Sequence, residues 1–221
     1  MAGIFNQRWS VKTAAASANS YTFKSSTSAV FGLGGGTTSS IATTGAKLIV
    51  VGIWWNRAGG ASAANLTDSK GNTWTKLTEQ DNINIGTVLY YCISPAVGPG
   101  HTFSTTSNFV GIGVLAVTDT GTPFFDQESG ANQNASGNLQ PGSITPSVNN
   151  CLVVTAFGSF NGITSGGPAI PTGYTQVARN TTSTAEAGGM GYKIQTTASA
   201  ENPTWNDSGS SETAVLATFK P

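Results

Sequence analysis

The chain has one histidine, His101, and two cysteines, Cys92 and Cys151, so a Ser-His-Asp or Cys-His nucleophile would have to be built on that single imidazole. His101 opens the short alternating stretch HTFST, where a ring is more simply a strand residue than a general base. One histidine and two separated cysteines give no recognised zinc spacing. Neither cysteine belongs to a CxxC pair. They read as apolar thiols, with a single Cys92–Cys151 bridge as the alternative. Glycosidase chemistry needs two carboxylates at a set separation. Asp68, Glu79, Asp81, Asp119, Asp126 and Glu128 are available, but most stand in turn-like contexts, where Asp bonds its own backbone. Asp68, Asn72, Asp119 and Asp126 are also the oxygens a calcium ion would use, yet there is no dense Asp run of the EF-hand kind. These residues predict no catalytic group, no metal ligand and no cofactor.

The aromatics offer a second kind of chemistry, a flat platform for a sugar ring. Trp54, Trp55, Trp74, Tyr90, Tyr91 and Trp205 are the available rings. Trp74 matches Tyr174, and Phe103 matches Trp205, across an internal repeat described below. Rings kept in both copies read as core. Trp55 and Tyr91, on the faces opposite Trp54 and Tyr90, are better placed for exposure. With the polar pair that follows the tryptophans, the candidate binding residues are Trp54, Trp55, Asn56, Arg57 and Tyr91.

The elements that must position these groups are strands. Charged residues make up only 9% of the 221, ten acidic against ten basic, and Gly numbers 28; the rest of the polar content is Ser, Thr and Asn, a composition that favours strands and turns. Scattered single Lys and Arg residues supply no phosphate-binding footprint, which argues against nucleic acid. The longest apolar run, residues 48–55, is too short for a membrane-spanning helix, and residues 1–20 lack the apolar core of a secretory signal. No membrane insertion is expected, and residues 1–20 read as an N-terminal arm or attachment segment. Residues 47–55 read as a strand buried on both faces, with Leu48, Val50, Gly52 and Trp54 on one side and Ile49, Val51, Ile53 and Trp55 on the other. Strands are also predicted over 20–26, 72–77, 85–93, 101–105 and 110–118, with a polar connector over 127–142.

The second half echoes the first. Ser40, Ile41, Lys47, Ile49, Val50 and Val51 fall against Ser143, Ile144, Asn150, Leu152, Val153 and Val154 without a gap, which sets Cys151 against Leu48. GYTQVA, MGYKI, PTW and VLATF then answer NTWTKL, VLYYC, HTF and VLAVT in the same order. Pseudo-repeats over about 40–119 and 143–221 predict an all-β fold, an antiparallel two-sheet sandwich of jelly-roll type spanning 21–221. One sandwich is preferred to two tandem ones, because four strands with one apolar face do not easily close a core alone.

The ordered set DSKGNTW, LYYC, HTFS, VLAVTDTGTPFFD, NNCLVV and VLATFKP resembles a β-sandwich family of bacterial and bacteriophage open reading frames, with D-x-x-G-N-T-W and a C-terminal A-x-F-K-P-like strand. The likeness covers about residues 40–221, and Cys92 stands where that pattern has a small residue. It implies a surface or virion structural protein and carries over no catalytic residues. The expectation is therefore a non-enzymatic virion component, such as a capsid decoration, head-fibre or tail-associated protein. Its partners would be other virion proteins in a homo-oligomeric or symmetric assembly. The alternative is a carbohydrate-binding or adhesion module at the cell surface or outside the cell, holding a host-surface glycan.

Overall fold

The computed structural model describes residues 20–57, 65–161, 167–180 and 186–221. Its first half gives β1 (Tyr21–Phe31), β2 (Gly36–Thr37), β3 (Leu48–Asn56), β4 (Thr67–Asp68), β5 (Thr75–Lys76), β6 (Gln80–Asp81), β7 (Ile85–Ile93), β8 (Phe103–Thr105) and β9 (Val110–Asp119). The second half gives β10 (Phe124–Gln133), β11 (Gly137–Leu139), β12 (Cys151–Phe160), β13 (Thr175–Asn180), β14 (Glu186–Gln195), β15 (Trp205–Asp207) and β16 (Ser211–Lys220). There is no helix among the described residues.

The fold is an antiparallel β-sandwich built twice. One main sheet runs β1-β9-β3-β7-β5, with β6 also on β7, and the other runs β10-β16-β12-β14-β13. Taking the five strands of each main sheet in chain order, with β6 set aside, both sheets read first, fifth, second, fourth, third. Each main sheet is filled from one half only, so the strands do not alternate between sheets as the expected jelly-roll winding implies. The halves meet instead through a shared core, in which Leu48, Leu89 and Leu115 of the first sheet pack on Leu152, Met190 and Phe219 of the second. This is one sandwich, because neither sheet covers that face alone.

The outer faces are covered as well. The three-stranded sheet β2-β8-β4 lies on the side of Ile49, Val51, Ile53 and Trp55. The ribbon β11-β15 covers Phe157 and Ala214 with Leu139 and Trp205. Hence β3 is apolar on both faces, and its two sides separate as period two requires.

The register corrects the residue-by-residue echo. Leu48 pairs with Ile93 and Val117, and Leu152 pairs with Ile194 and Phe219. Leu48, Val117, Leu152 and Phe219 all belong to the inter-sheet core, with Ile93 and Ile194 packed against it. Leu48 therefore corresponds to Leu152, not to Cys151, and Val50 to Val154. The matches VLYYC/MGYKI and VLAVT/VLATF are likewise off by one, since Tyr91 corresponds to Tyr192 and Val117 to Phe219. Strands buried on both faces carry no alternation to fix their register, and a one-residue slip exchanges the faces. Phe103 with Trp205, and Trp74 with Tyr174, are correctly matched: the first pair is fully buried and the second packs beneath the outer layers.

The repeat also reaches further than the sequence suggested. Residues 127–142 are not a connector: most of them lie in β10 and β11. β10 is the counterpart of β1, and each carries a bulge at the same place, Lys24 between Phe23 and Ser25, Asp126 between Phe125 and Gln127. Phe23 stacks on Tyr192, and Phe125 stacks on Tyr91. The polar side chains of β10 hid this strand. Of the expected N-terminal arm, only Ser20 lies within the described residues.

Candidate functional site

The five candidate binding residues do not converge. Trp54 and Trp55 are 1% and 0% exposed, which corrects the sugar-platform reading of this pair. Trp54 points into the inter-sheet core, where its indole lies against Gly111 of the neighbouring strand and Gly188 of the facing sheet; a Cβ on either would come within about 2.2 Å of the ring. Trp55 lies on the other face against Gly86. Double-sided burial of β3 left no exposed position for either ring. Tyr91 pairs with Val50, four positions along the strand from Trp54. Its ring is half-buried, stacked on Phe125 at 5.7 Å and edge-on to Phe219 at 5.3 Å. Asn56 donates to the Glu186 carboxylate of the second sheet, and Arg57 pairs with Asp81 beside Asn82 and the exposed Ile83. Of the five, Arg57 lines a surface depression, at the sheet end where β3 stops.

The DSKGNTW motif forms a lock around one carboxylate. Asp68 accepts hydrogen bonds from the backbone N–H of Lys70 (2.7 Å) and Asn72 (3.1 Å) and from Trp74 Nε1 (2.8 Å). His101 Nε2 lies 2.9 Å from Asp68 Oδ1, and His101 Nδ1 lies 2.9 Å from Thr43 Oγ1. The order Thr43, His101, Asp68 has the connectivity of a catalytic triad. Its setting differs: Thr43 and His101 are 0% exposed, and the Thr43 hydroxyl also meets the Gly98 backbone. Asn72 closes the loop by exchanging bonds with the backbone of Ala96. With its carboxylate so engaged, Asp68 serves the turn, as the sequence indicated, and pins β4 to β8.

Most of the other sequence candidates are also committed to structure. Asp126 takes two bonds from Ser147 and one from Thr218; burial alone would raise its carboxyl, and these bonds hold it below the usual range. Glu128 caps Thr78 through both carboxylate oxygens, and Glu79 pairs with Lys76. The buried carboxylate oxygens of Asp119 have no hydrogen-bond partner. Cys92 and Cys151 are free thiols, and burial pushes both upward, which keeps them in the less nucleophilic protonated form.

The sequence missed a polar cluster in the second half. Glu201 accepts from the Tyr174 hydroxyl (3.0 Å), from Lys193 and from Gln195 (2.8 Å), while Lys193 stands 5.5 Å over the Tyr174 ring. Burial, then Glu201, raises the Tyr174 hydroxyl well above its ordinary value. A polar depression of about 380 Å³ opens beside this cluster, bounded by Pro171, Thr172, Tyr174, Asn202 and Thr204. The match of Tyr174 to Trp74 was its one sequence signal. No family model, no curated protein and no solved structure matches this chain.

Proposed function

We propose that the chain is a non-enzymatic structural and interaction protein, a bacteriophage virion component of the capsid-decoration, head-fibre or tail-associated kind. The observation that supports this best is the fate of the reactive side chains. His101, Asp68 and Thr43 are consumed in one buried lock, and both thiols are held protonated. What the molecule offers its surroundings is a body of two main sheets with thin outer layers, strand edges and shallow depressions. Such a body acts by shape-complementary burial against other virion proteins on a symmetric particle. The resemblance of DSKGNTW through VLATFKP to phage-borne sandwiches points the same way. Mass spectrometry of gradient-purified particles from a producing culture should find the chain at a fixed ratio to the major coat protein. Its presence only in the particle-free fraction would overturn the proposal.

The second reading, a carbohydrate-binding or adhesion module working outside the cell, draws on one observation. The depression at Tyr174 sets an aromatic ring among Thr172, Glu201, Asn202 and Thr204, a combination suited to sugar hydroxyls. A glycan array probed with the chain and with Tyr174→Ala tests it. Binding lost in the variant supports this reading, and silence from the unaltered chain removes it.

A further inference from the structure

Both main sheets are open, so the fold has four edges to protect. Three are blunted by recognised devices. β10 carries Asp126 and Glu128, bulges at Asp126, and is crossed by bonds from Gln127 to Thr145, Thr78 to Glu128 and Asn82 to Gln133. β13 is broken by a bulge at Val177, and its Arg179 ties back to Gly167 and Pro168. The remaining edge is two two-residue pieces, β5 and β6, with the Lys76–Glu79 pair between them.

β1 is the exception. Beyond the bulge at Lys24 it runs seven residues in unbroken register, from Ser25 against Ala116 to Phe31 against Val110. Its sequence there is SSTSAVF, without charge or proline. Among the described residues no strand lies on its other side and no backbone bond reaches that side; the Ser25 hydroxyl donates to the Ala42 carbonyl only at the end next to the bulge. We propose that this edge pairs with the same edge of a second copy, antiparallel about a two-fold axis near Ser28, joining the two first-half sheets into one. Two features select a second copy. An antiparallel strand is complementary to itself, so the contact closes as a dimer instead of propagating. In this register no charged side chain faces its own image, since Lys24 lies outside the ladder, and the chain's formal net charge is zero, so copies do not repel at long range. The inference goes beyond the virion reading, because it concerns the isolated chain and holds or fails whatever particle the chain belongs to.

The test is the mass of the full chain in solution by sedimentation equilibrium, from about 1 µM to about 1 mM, the span of weak to moderate affinities. The proposal expects a shift from the 22.5 kDa monomer to twice that mass. Ser28 is exposed, so Ser28→Lys and Ser28→Glu should fold with unchanged melting. Each should weaken the dimer by about fivefold, the effect of like charges set opposite each other. An equimolar mixture of the two should recover or exceed the original affinity, a readout that general damage to the strand would not give. A monomer across the whole range overturns the proposal. So does a dimer indifferent to both substitutions, which would place the contact elsewhere.

Discussion

The two halves share a strand order and a register, yet they anchor their outer layers by different chemistry. In the first half, Ile41 bridges to His101, and the Asp68 loop folds over the imidazole to leave a dry, closed lock. In the second, Ile144 bridges to Glu201, and the same place is held by a carboxylate, a phenol and a lysine beside an open depression. The inner end differs too. Trp54 has Gly158 as its counterpart, and Trp55 and Val110 have Ser159 and Glu212. The backbone frame accepts either solution provided each large ring faces a gap. The frame is common to both halves, and the side chains inside it differ as complementary pairs.

The largest effect should come from breaking the closed lock. Asp68→Ala removes the acceptor for two backbone N–H groups, Trp74 Nε1 and His101 Nε2 at once. Each orphaned buried group costs about 1–3 kcal/mol, so a loss of about 4 kcal/mol or more is expected in urea unfolding. Glu201→Ala, which removes the acceptor of the second half's cluster, should cost only about 1–2 kcal/mol, because Lys193 reaches water. Equal costs would show that the open cluster is as much a folding lock as the closed one.

Next comes the tryptophan that one half places against the glycines of the other. Gly188→Ala sets a methyl group about 2.2 Å from Trp54 Nε1 and should cost about 1–3 kcal/mol by overpacking. In a Trp54→Ala background the same change should be nearly free, and the double-mutant cycle measures that coupling. Additive costs would mean that the ring is not what keeps position 188 empty. Thr87, the first-half counterpart of Gly188, tolerates a larger side chain because its hydroxyl meets Thr213 across the sheets at 2.7 Å.

These pairs show what was legible in the sequence. Strand existence was plain wherever Val, Ile and aromatic residues ran together, and Ile85–Ile93 is found at its expected bounds. The two faces of β3 were plain from period two. Register between the copies was not, because IVV and LVV can be matched either way when both faces are buried. β10, written FFDQESGANQ, was read as a connector because its apolar contribution is confined to the end that carries Phe125. The candidate site fared worst for the same reason. A tryptophan pair at a strand end looks exposed until Gly86, Gly111 and Gly188, all distant in sequence, are known to make room for it.

A smaller, pH-dependent difference should follow from Glu212, which stands where the first half has Val110. Burial pushes its carboxyl from 4.5 up to about 7, with the nearby Asp207 adding to the rise against the bonds from Gln133 and Gly137. The folded chain then holds this proton more tightly than the unfolded one, so stability falls as pH rises from about 4.5 to about 7 and levels beyond. Asp126, held low, acts in the opposite sense and loses its contribution only in more acidic solution. Glu212→Gln should flatten the upper slope in thermal melts and leave the acidic limb intact. An unchanged slope would assign it to another group.

The smallest effect belongs to Arg57. Its pair with Asp81 is partly exposed on both sides, so Arg57→Ala should cost under about 1 kcal/mol, and 1 M salt should erase most of that. Among the described residues the second half has no such pair at this place: β12 stops at Phe160, and the next residue, Asn161, lies in the left-handed region at φ 60. Stability therefore gives no strong reason for an arginine at this strand end. If Arg57→Ala leaves melting almost unchanged and still weakens attachment to particles or glycans, Arg57 belongs to the first half's working surface. If attachment is also unchanged, the end of β3 differs from the end of β12 only in how the chain turns.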